Sequence, residues 1–238
     1  MMHVDDFVHK LVSIANNYES LYVRSGIGYR LNAAGKSRAM QNAYNRKPAR
    51  MQKIMAANAN TWAFDCSGLV KSVLWGWCGD TAKTYGGAVY ASNNVPDLNA
   101  NSLIKHCYNV STNMRTVQKG ELLWKDGHVG VAINSEQAVE CTPAFDDKVQ
   151  ITRIEGRGWE KHGKLEYVVY DYSINVGDVV RITGEYYYNG KTHIPNWVKE
   201  KLWIVKSVNG NRIVIDEDVS GRYHINSAVH KNDLVLYD

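Results

Sequence analysis

The sequence predicts an α+β protein in two parts: helices followed by an antiparallel sheet, then a small all-β barrel. Three observations predict it. Val4, Phe7, Val8, Leu11, Val12, Ile14 and Ala15 recur at helical spacing over residues 4–18. Residues 120–154 read as short alternating runs parted by turns, the mark of antiparallel strands. From Val176 onward only short strand-like runs and turns remain.

Each element follows from its residues. After the opening helix, residues 19–61 are polar, rich in Asn, Ala and basic side chains, and read as irregular. Within them Arg46, Lys47, Arg50 and Lys53 form either a solvated face or a contact for an anionic polymer. Residues 66–78 read as a buried helix opening directly after Asp65, a favoured N-cap. A short helix is expected near 100–107. Strands are expected at 120–123, 128–133, 137–142 and 149–154, with Asn134–Ser135–Glu136 as a hairpin loop. The composition shifts near Tyr172, so a boundary is expected at 172–176, dividing the chain into 1–172 and 176–238. The second part reads as strands at 178–183, 201–208, 212–216 and 233–237, with Asn209–Gly210 as a hairpin turn.

Length and composition narrow the function. A chain of 238 residues holds one or two domains, each able to bury a core. With 45% hydrophobic and 22% charged residues, global disorder is excluded. A net charge of +4 permits a polyanionic partner without requiring one, and no nucleic-acid partner is expected. No run approaches ~18 apolar residues, so no membrane insertion is expected. Asp5 and Asp6 interrupt the N-terminal segment, which does not read as a secretory signal, so synthesis in a reducing cytoplasm is expected. Cys66, Cys78, Cys107 and Cys141 form no CxxC pair, which argues against a zinc ribbon or a thioredoxin-type site. At least three of them are expected to be buried thiols. The 15 Tyr and 7 Trp, against 3 Phe, suit half-wet binding surfaces for sugar or peptide.

One constellation carries chemistry. In Asp65–Cys66–Ser67–Gly68–Leu69–Val70 a Cys sits at the first turn of a helix, where unpaired N–H groups and the helix dipole favour thiolate. Gly68 would leave the backbone bare for a substrate, and the N–H of Cys66 could meet a developing oxyanion. Alone, the hexapeptide also fits a capped buried helix with an inert Cys. Gly127–His128–Val129–Gly130–Val131–Ala132–Ile133 adds a His at the exposed start of a core strand, a general base if it meets Cys66 in space. Glu140, in Ala138–Val139–Glu140–Cys141–Thr142, lies on the neighbouring strand. It is either a surface Glu or the group that orients His128.

Residues 65–70, 127–133 and 138–142, in this order, resemble the NlpC family of papain-like cysteine peptidases, which cleave peptidoglycan stem peptides. Trp62–Ala63–Phe64, Leu74–Trp75–Gly76–Trp77, Val95–Pro96–Asp97 and Val139–Glu140–Cys141–Thr142–Pro143 are similar to the version in phage and prophage wall endopeptidases of Gram-positive hosts. The resemblance spans roughly residues 1–170. It implies a papain-like peptidase domain with Cys66 as nucleophile, His128 as base and Glu140 at the third polar position, where His, Asn or Gln is more usual. It implies an upstream Tyr that helps bind the oxyanion. Tyr22–Val23–Arg24–Ser25–Gly26 fits that segment best, with Ser25 in place of a Gly and with Tyr29 and Tyr44 as competitors. Asp65 and Ser67 are candidates for substrate contact as well as for helix capping. No metal or other cofactor is implied.

The resemblance implies a bacterial peptidoglycan substrate, cut between D-isoglutamate and a diamino acid. The protein would then be a phage or prophage lysin acting after release or a component of the virion tail. The alternatives are an N-acetylmuramoyl-L-alanine amidase on the same machinery, a non-catalytic wall-binding protein and an acyltransferase. The C-terminal part resembles SH3-like wall-binding modules, with Tyr186, Tyr187, Tyr188, Trp197, Trp203 and Tyr223 either lining a groove or packing the barrel.

Overall fold

A computed structural model describes residues 1–170 and 174–237. The boundary expected at 172–176 falls in part on residues 171–173, outside the described residues. By internal contacts the chain forms two compact units: Met1–Met114 with Lys119–Tyr170, and Arg115–Gln118 with Asp171–Asp238.

In the first unit β1 (Met2–His3) leads into α1 (Val4–Asn17). Val4, Phe7, Val8, Leu11 and Ile14 form the buried face of α1, while Asp5 and Asp6 complement the dipole in its first turn. Residues 19–61 are more ordered than their composition predicts. They hold β2 (Ser20–Tyr22), β3 (Ile27–Arg30), α2 (Ala33–Ala39) and α3 (Pro48–Ala56). Strands β2 and β3 have only three and four residues, too short for a period to register in the sequence. With β4 (Trp62–Phe64) they make a three-stranded sheet in the order β2-β4-β3.

Arg50, inside the basic run, is not a surface contact. It is buried, bonds Asp147 at 2.5 Å and donates to the carbonyl of Tyr22. Lys53 joins the same carboxylate at 2.8 Å.

α4 (Cys66–Leu74) is buried along its whole length, which explains its near-continuous apolar sequence. It ends at Leu74, with Trp75 as its C-cap, rather than at Cys78. Behind it Trp77 meets Tyr18, Trp62 and Phe64 edge-on at 5.0, 5.1 and 5.6 Å, and its indole N–H bonds the Gly28 carbonyl at 3.1 Å. The Trp75 N–H bonds the Val95 carbonyl at 2.7 Å. These aromatic N–H groups are satisfied inside a dry core, so they fix the axis of the helix.

After α5 (Ala100–Leu103) come β5 (Cys107–Ser111), β6 (Leu122–Lys125), β7 (His128–Ala132), β8 (Gln137–Cys141), β9 (Val149–Arg153), β10 (Lys161–Leu165) and β11 (Val168–Val169). Strands β5 to β10 form one antiparallel sheet, ordered β5-β10-β6-β7-β8-β9, against which α4 packs through β7 and β8.

The second unit holds β12 (Val179–Ile182), α6 (Asn196–Lys199), β13 (Leu202–Asn209), β14 (Arg212–Asp218), β15 (His224–His230) and β16 (Leu234–Leu236). They form a five-stranded sheet in the order β15-β14-β13-β12-β16. Gly210, at positive φ, turns β13 into β14 as the Asn209–Gly210 pair predicts. Trp203 is fully buried in this unit's core and Tyr187 packs against that core, so neither is a groove residue in the way the sequence allowed. Tyr186, Tyr188, Trp197 and Tyr223 are exposed. Among the described residues no helix is long and apolar enough to cross a membrane.

Candidate active site

Asp65 stands between β4 and α4 and caps the helix. Its Oδ1 accepts from the Gly68 N–H at 2.6 Å and from the Ser67 hydroxyl at 3.1 Å. Its Oδ2 accepts from the Ser25 N–H at 2.7 Å. Ser25 is held at φ 64°, a left-handed conformation that disfavours a side chain.

Cys66 is therefore the first residue of a capped helix, with 6% of its surface exposed. The N–H groups of Val129 and Ser67 donate toward its sulfur. The surroundings oppose the expected thiolate. Burial pushes the Cys66 thiol up to about 11, Asp65 pushes the same way, and the two N–H groups and Arg24 only partly offset them. The helix N-terminus is present, but desolvation outweighs it.

Val129, whose N–H faces that sulfur, follows His128 directly. The Lys125↔His128 pair closes the β6–β7 hairpin over Asp126–Gly127, with Gly127 at φ 71°. Asn101 of α5 accepts from the Gly127 N–H at 2.8 Å and from the Trp124 indole at 3.1 Å, holding the hairpin tip.

The register that pairs Val131 with Val139 brings Glu140 beside Gly130, so His128 and Glu140 are diagonal neighbours on one sheet face. His128 Nε2 lies 2.5 Å from Glu140 Oε2. With Nε2 engaged there, Nδ1 is the ring nitrogen not taken up by Glu140.

Glu140 is fully buried rather than a surface strand residue. Thr152 on β9 donates to Oε1 at 2.7 Å, and Arg157 forks across both oxygens at 2.7 and 2.8 Å. Burial opposes its charge, but the bonds from His128, Arg157 and Thr152 outweigh that and hold its carboxyl down to about 2. Trp159 lies parallel to the His128 ring, at 5.4 Å and 10°.

Sequence reasoning missed Arg157, Thr152 and Trp159. The one available signal was chemical: a buried strand Glu requires a cation, and Arg157 is in the loop that follows β9.

Tyr22 is buried at the end of β2, paired in register with Phe64, two residues before Cys66. Burial pushes its phenol up to about 12, so it stays protonated and able to donate; the Arg24 guanidinium beside it pulls the other way. The charge of Cys66 bears on Tyr22, and Tyr44 lies edge-on to the Tyr22 ring at 6.4 Å.

A cleft of about 510 Å3 opens over this centre, lined among others by Arg24, Asp65, Cys66, Ser67, Lys71 and Asn101. Lys71 is paired with Asp97, whose other oxygen takes the Tyr90 hydroxyl at 2.8 Å.

Two corrections concern the cysteines and Gly68. Cys66 and Cys141 are buried, Cys107 is half-buried and Cys78 is exposed, so two thiols rather than three are fully inside; all four are free. Gly68 does not open the backbone to a ligand. A β-carbon there would collide with the carbonyl oxygen of Gly26, so the glycine serves close packing of α4 on the β2–β3 turn.

Among the described residues no group of three or more His, Cys, Asp or Glu side chains is placed to hold a metal ion. No family model and no curated protein matches the chain. Among solved structures it is similar to the P60 domain of antigen MAP1204 from M. avium subspecies paratuberculosis, with TM-score 0.37 and 13% identity, over 68% of this chain and 93% of that one.

Proposed function

We propose that the protein is a cysteine peptidase of bacterial peptidoglycan, with Cys66 as nucleophile, His128 as general base and acid, and Glu140 orienting the imidazole. The observation that supports this best is the Nε2–Oε2 bond of His128 and Glu140 beside a helix-opening Cys whose sulfur meets the N–H of Val129. Capped, buried, inert cysteines have no need of a neighbouring imidazole held in one tautomer by a buried carboxylate.

At rest burial holds Cys66 toward the thiol. His128 Nδ1 takes the thiol proton as sulfur attacks the amide carbonyl. The oxyanion is met by the Cys66 N–H and the Tyr22 hydroxyl. His128 then protonates the leaving amine, and the acyl-enzyme forms. Water, deprotonated by His128, attacks the thioester and releases the acid and the thiol.

Asp65 and Ser67, at the floor of the cleft, contact the substrate as well as capping α4. The motif resemblance favours the bond between D-isoglutamate and the diamino acid, and use as a phage or prophage lysin. In the second unit, β12 to β15 run as a meander and β16 returns beside β12, an order that supports an SH3-like module. The exposed Tyr188, Trp197 and Tyr223 support a wall-binding role for it.

Muropeptide mapping of digested walls, wild type against Cys66→Ala, tests the reading. New N-terminal diamino acids that vanish with Cys66→Ala are expected. Free lactyl groups with intact peptides would instead make the enzyme an amidase. Peptide release by Cys66→Ala at the wild-type rate would remove Cys66 as nucleophile.

A further inference from the structure

Glu140 stands where a neutral side chain is more usual in the resembled family, and the surroundings show what makes an anion workable there. A carboxylate offers about four lone-pair positions. Here four donors fill them, two on each oxygen: Thr152 Oγ1 and Arg157 Nε on Oε1, His128 Nε2 and Arg157 Nη2 on Oε2. Half of these bonds come from Arg157. The carboxylate cannot turn about its last torsion without breaking all four. Arg157 is itself held: Nη2 also reaches Thr142 Oγ1 at 3.3 Å, its guanidinium lies over the rings of Phe145 and Trp159 at 5.3 and 5.9 Å, and its carbonyl takes Lys125 Nζ at 2.7 Å. Two residues on, Trp159 covers the His128 ring, in space that Gly130 leaves open; a β-carbon at Gly130 would sit 3.1 Å from the indole. One short segment, 157–159, thus grips both the imidazole and the group that orients it.

We propose that Arg157 is a positioning residue for this centre: its fork fixes the Glu140 carboxylate in the plane that receives the Nε2–H of His128, and so aims Nδ1 at Cys66. This rests on the reading of Cys66 and His128 as nucleophile and base. Without the fork, Glu140 is a buried anion with His128 and Thr152 as its remaining donors. It then draws a second proton onto the imidazole, which cannot serve as a base while it carries both. Other charged or titratable groups near the centre include Lys125, Glu160 and Cys141 on the sheet side, and Asp65, Cys66, Tyr22 and Arg24 on the helix side.

The test uses the full chain with Arg157→Gln, Arg157→Lys, Glu140→Gln and the double variant E140Q/R157Q. Steady-state kinetics on wall peptides, thermal midpoints and 15N NMR of the His128 ring are read together. Arg157→Gln is expected to lower kcat about tenfold to hundredfold with KM changed less than about threefold, and to shift the acid limb of the pH profile upward. The ring should lose its Nε2–H tautomer in favour of imidazolium near neutral pH. Arg157→Lys should restore part of the rate by keeping the charge without the fork. E140Q/R157Q should be at least about fivefold faster than Arg157→Gln alone, because a glutamine carbonyl accepts the Nε2–H without needing a cation. A wild-type tautomer and acid limb in a folded Arg157→Gln, or a double variant whose loss is the product of the two single losses, overturns the proposal. The tautomer is read without turnover, so it decides on Arg157 even if Cys66→Ala shows that the nucleophile lies elsewhere.

Discussion

Gly68 packs on Gly26 so closely that the Gly26 carbonyl oxygen occupies the space a β-carbon at position 68 would need. The same carbonyl accepts the Asp65 N–H at 3.0 Å, so it cannot swing aside without losing its bond to the residue that caps the Cys66 helix. Gly68→Ala is therefore expected to destabilise the protein by about 1–3 kcal/mol through overpacking. For a chain of this size that lowers Tm by about 2–12 °C. Activity should fall as well, because the strain is released at the helix N-terminus. An unchanged melting curve would mean that the turn holding Gly26 is softer than its hydrogen bonds imply.

The charge state of Cys66 is open to direct measurement. With the thiol pushed up to about 11 by burial and by Asp65, alkylation of Cys66 by iodoacetamide should climb steadily with pH between 7 and 10. A resting thiolate–imidazolium pair would instead give a plateau across neutral pH. Asp65→Asn removes one of the two causes, so the alkylation profile should move to lower pH. The same change places an amide N–H against the Ser25 N–H that Oδ2 now receives, and should cost about 1 kcal/mol of stability. A profile unmoved by Asp65→Asn would show that Asp65 does not act on the sulfur.

Much of this centre was legible from residue order because its chemistry is local. A cap, a helix-opening Cys and a strand-opening His each leave a mark within six residues. The diagonal His128–Glu140 contact was legible too, since strand alternation fixes which residues share a face. What escaped was non-local. Arg157 reaches Glu140 across 17 positions and Arg50 reaches Asp147 across 97, and no periodicity records such pairs. The upward push on the Cys66 thiol escaped for a related reason: the helix dipole is written in the sequence, but the depth of burial that opposes it is set by the whole fold. Strands β5 and β10 were missed because Cys107–Ser111 and Lys161–Leu165 carry polar residues on an edge pair, without the alternation that marked β7 and β8.

Glu140 ties stability to acid. Its carboxyl is held at about 2 against an ordinary 4.5, so its folded pKa is depressed. The unfolded chain binds the proton first. The stabilisation is complete above about 4.5 and is lost as pH falls through about 2. For a buried group the span corresponds to about 3 kcal/mol. Glu140→Gln should lower Tm at pH 7, because Arg157 is left without its anion, and should flatten the fall of Tm between pH 4.5 and 2.5. If the acid limb keeps its wild-type slope in Glu140→Gln, other carboxylates such as Asp97 and Asp218 govern acid unfolding.

In the second unit two tryptophans of one cluster have opposite expected roles. Trp203 is fully buried and donates to the Val198 carbonyl at 2.9 Å, whereas Trp197, 6.4 Å from it ring to ring, is 45% exposed. Trp197 in turn lies 5.7 Å from the exposed Tyr223, whose ring carries Lys201 at 4.0 Å. Trp203→Ala removes core volume and an indole donor, and should cost about 3–5 kcal/mol, enough to unfold this unit. Trp197→Ala and Tyr223→Ala remove surface rings and should leave the melting curve within about 1 kcal/mol of wild type. If the exposed pair grips the wall by stacking, each of these two changes should weaken sedimentation with purified walls by about fivefold to tenfold, while a soluble stem peptide is hydrolysed at the wild-type rate. Tyr188, stacked on His230 at 5.9 Å and 11°, presents a second exposed ring and serves as the internal comparison. Loss of wall binding only with Tyr188→Ala would move the grip to that ring. Full binding with all three replaced would take wall recognition away from the aromatic surface altogether.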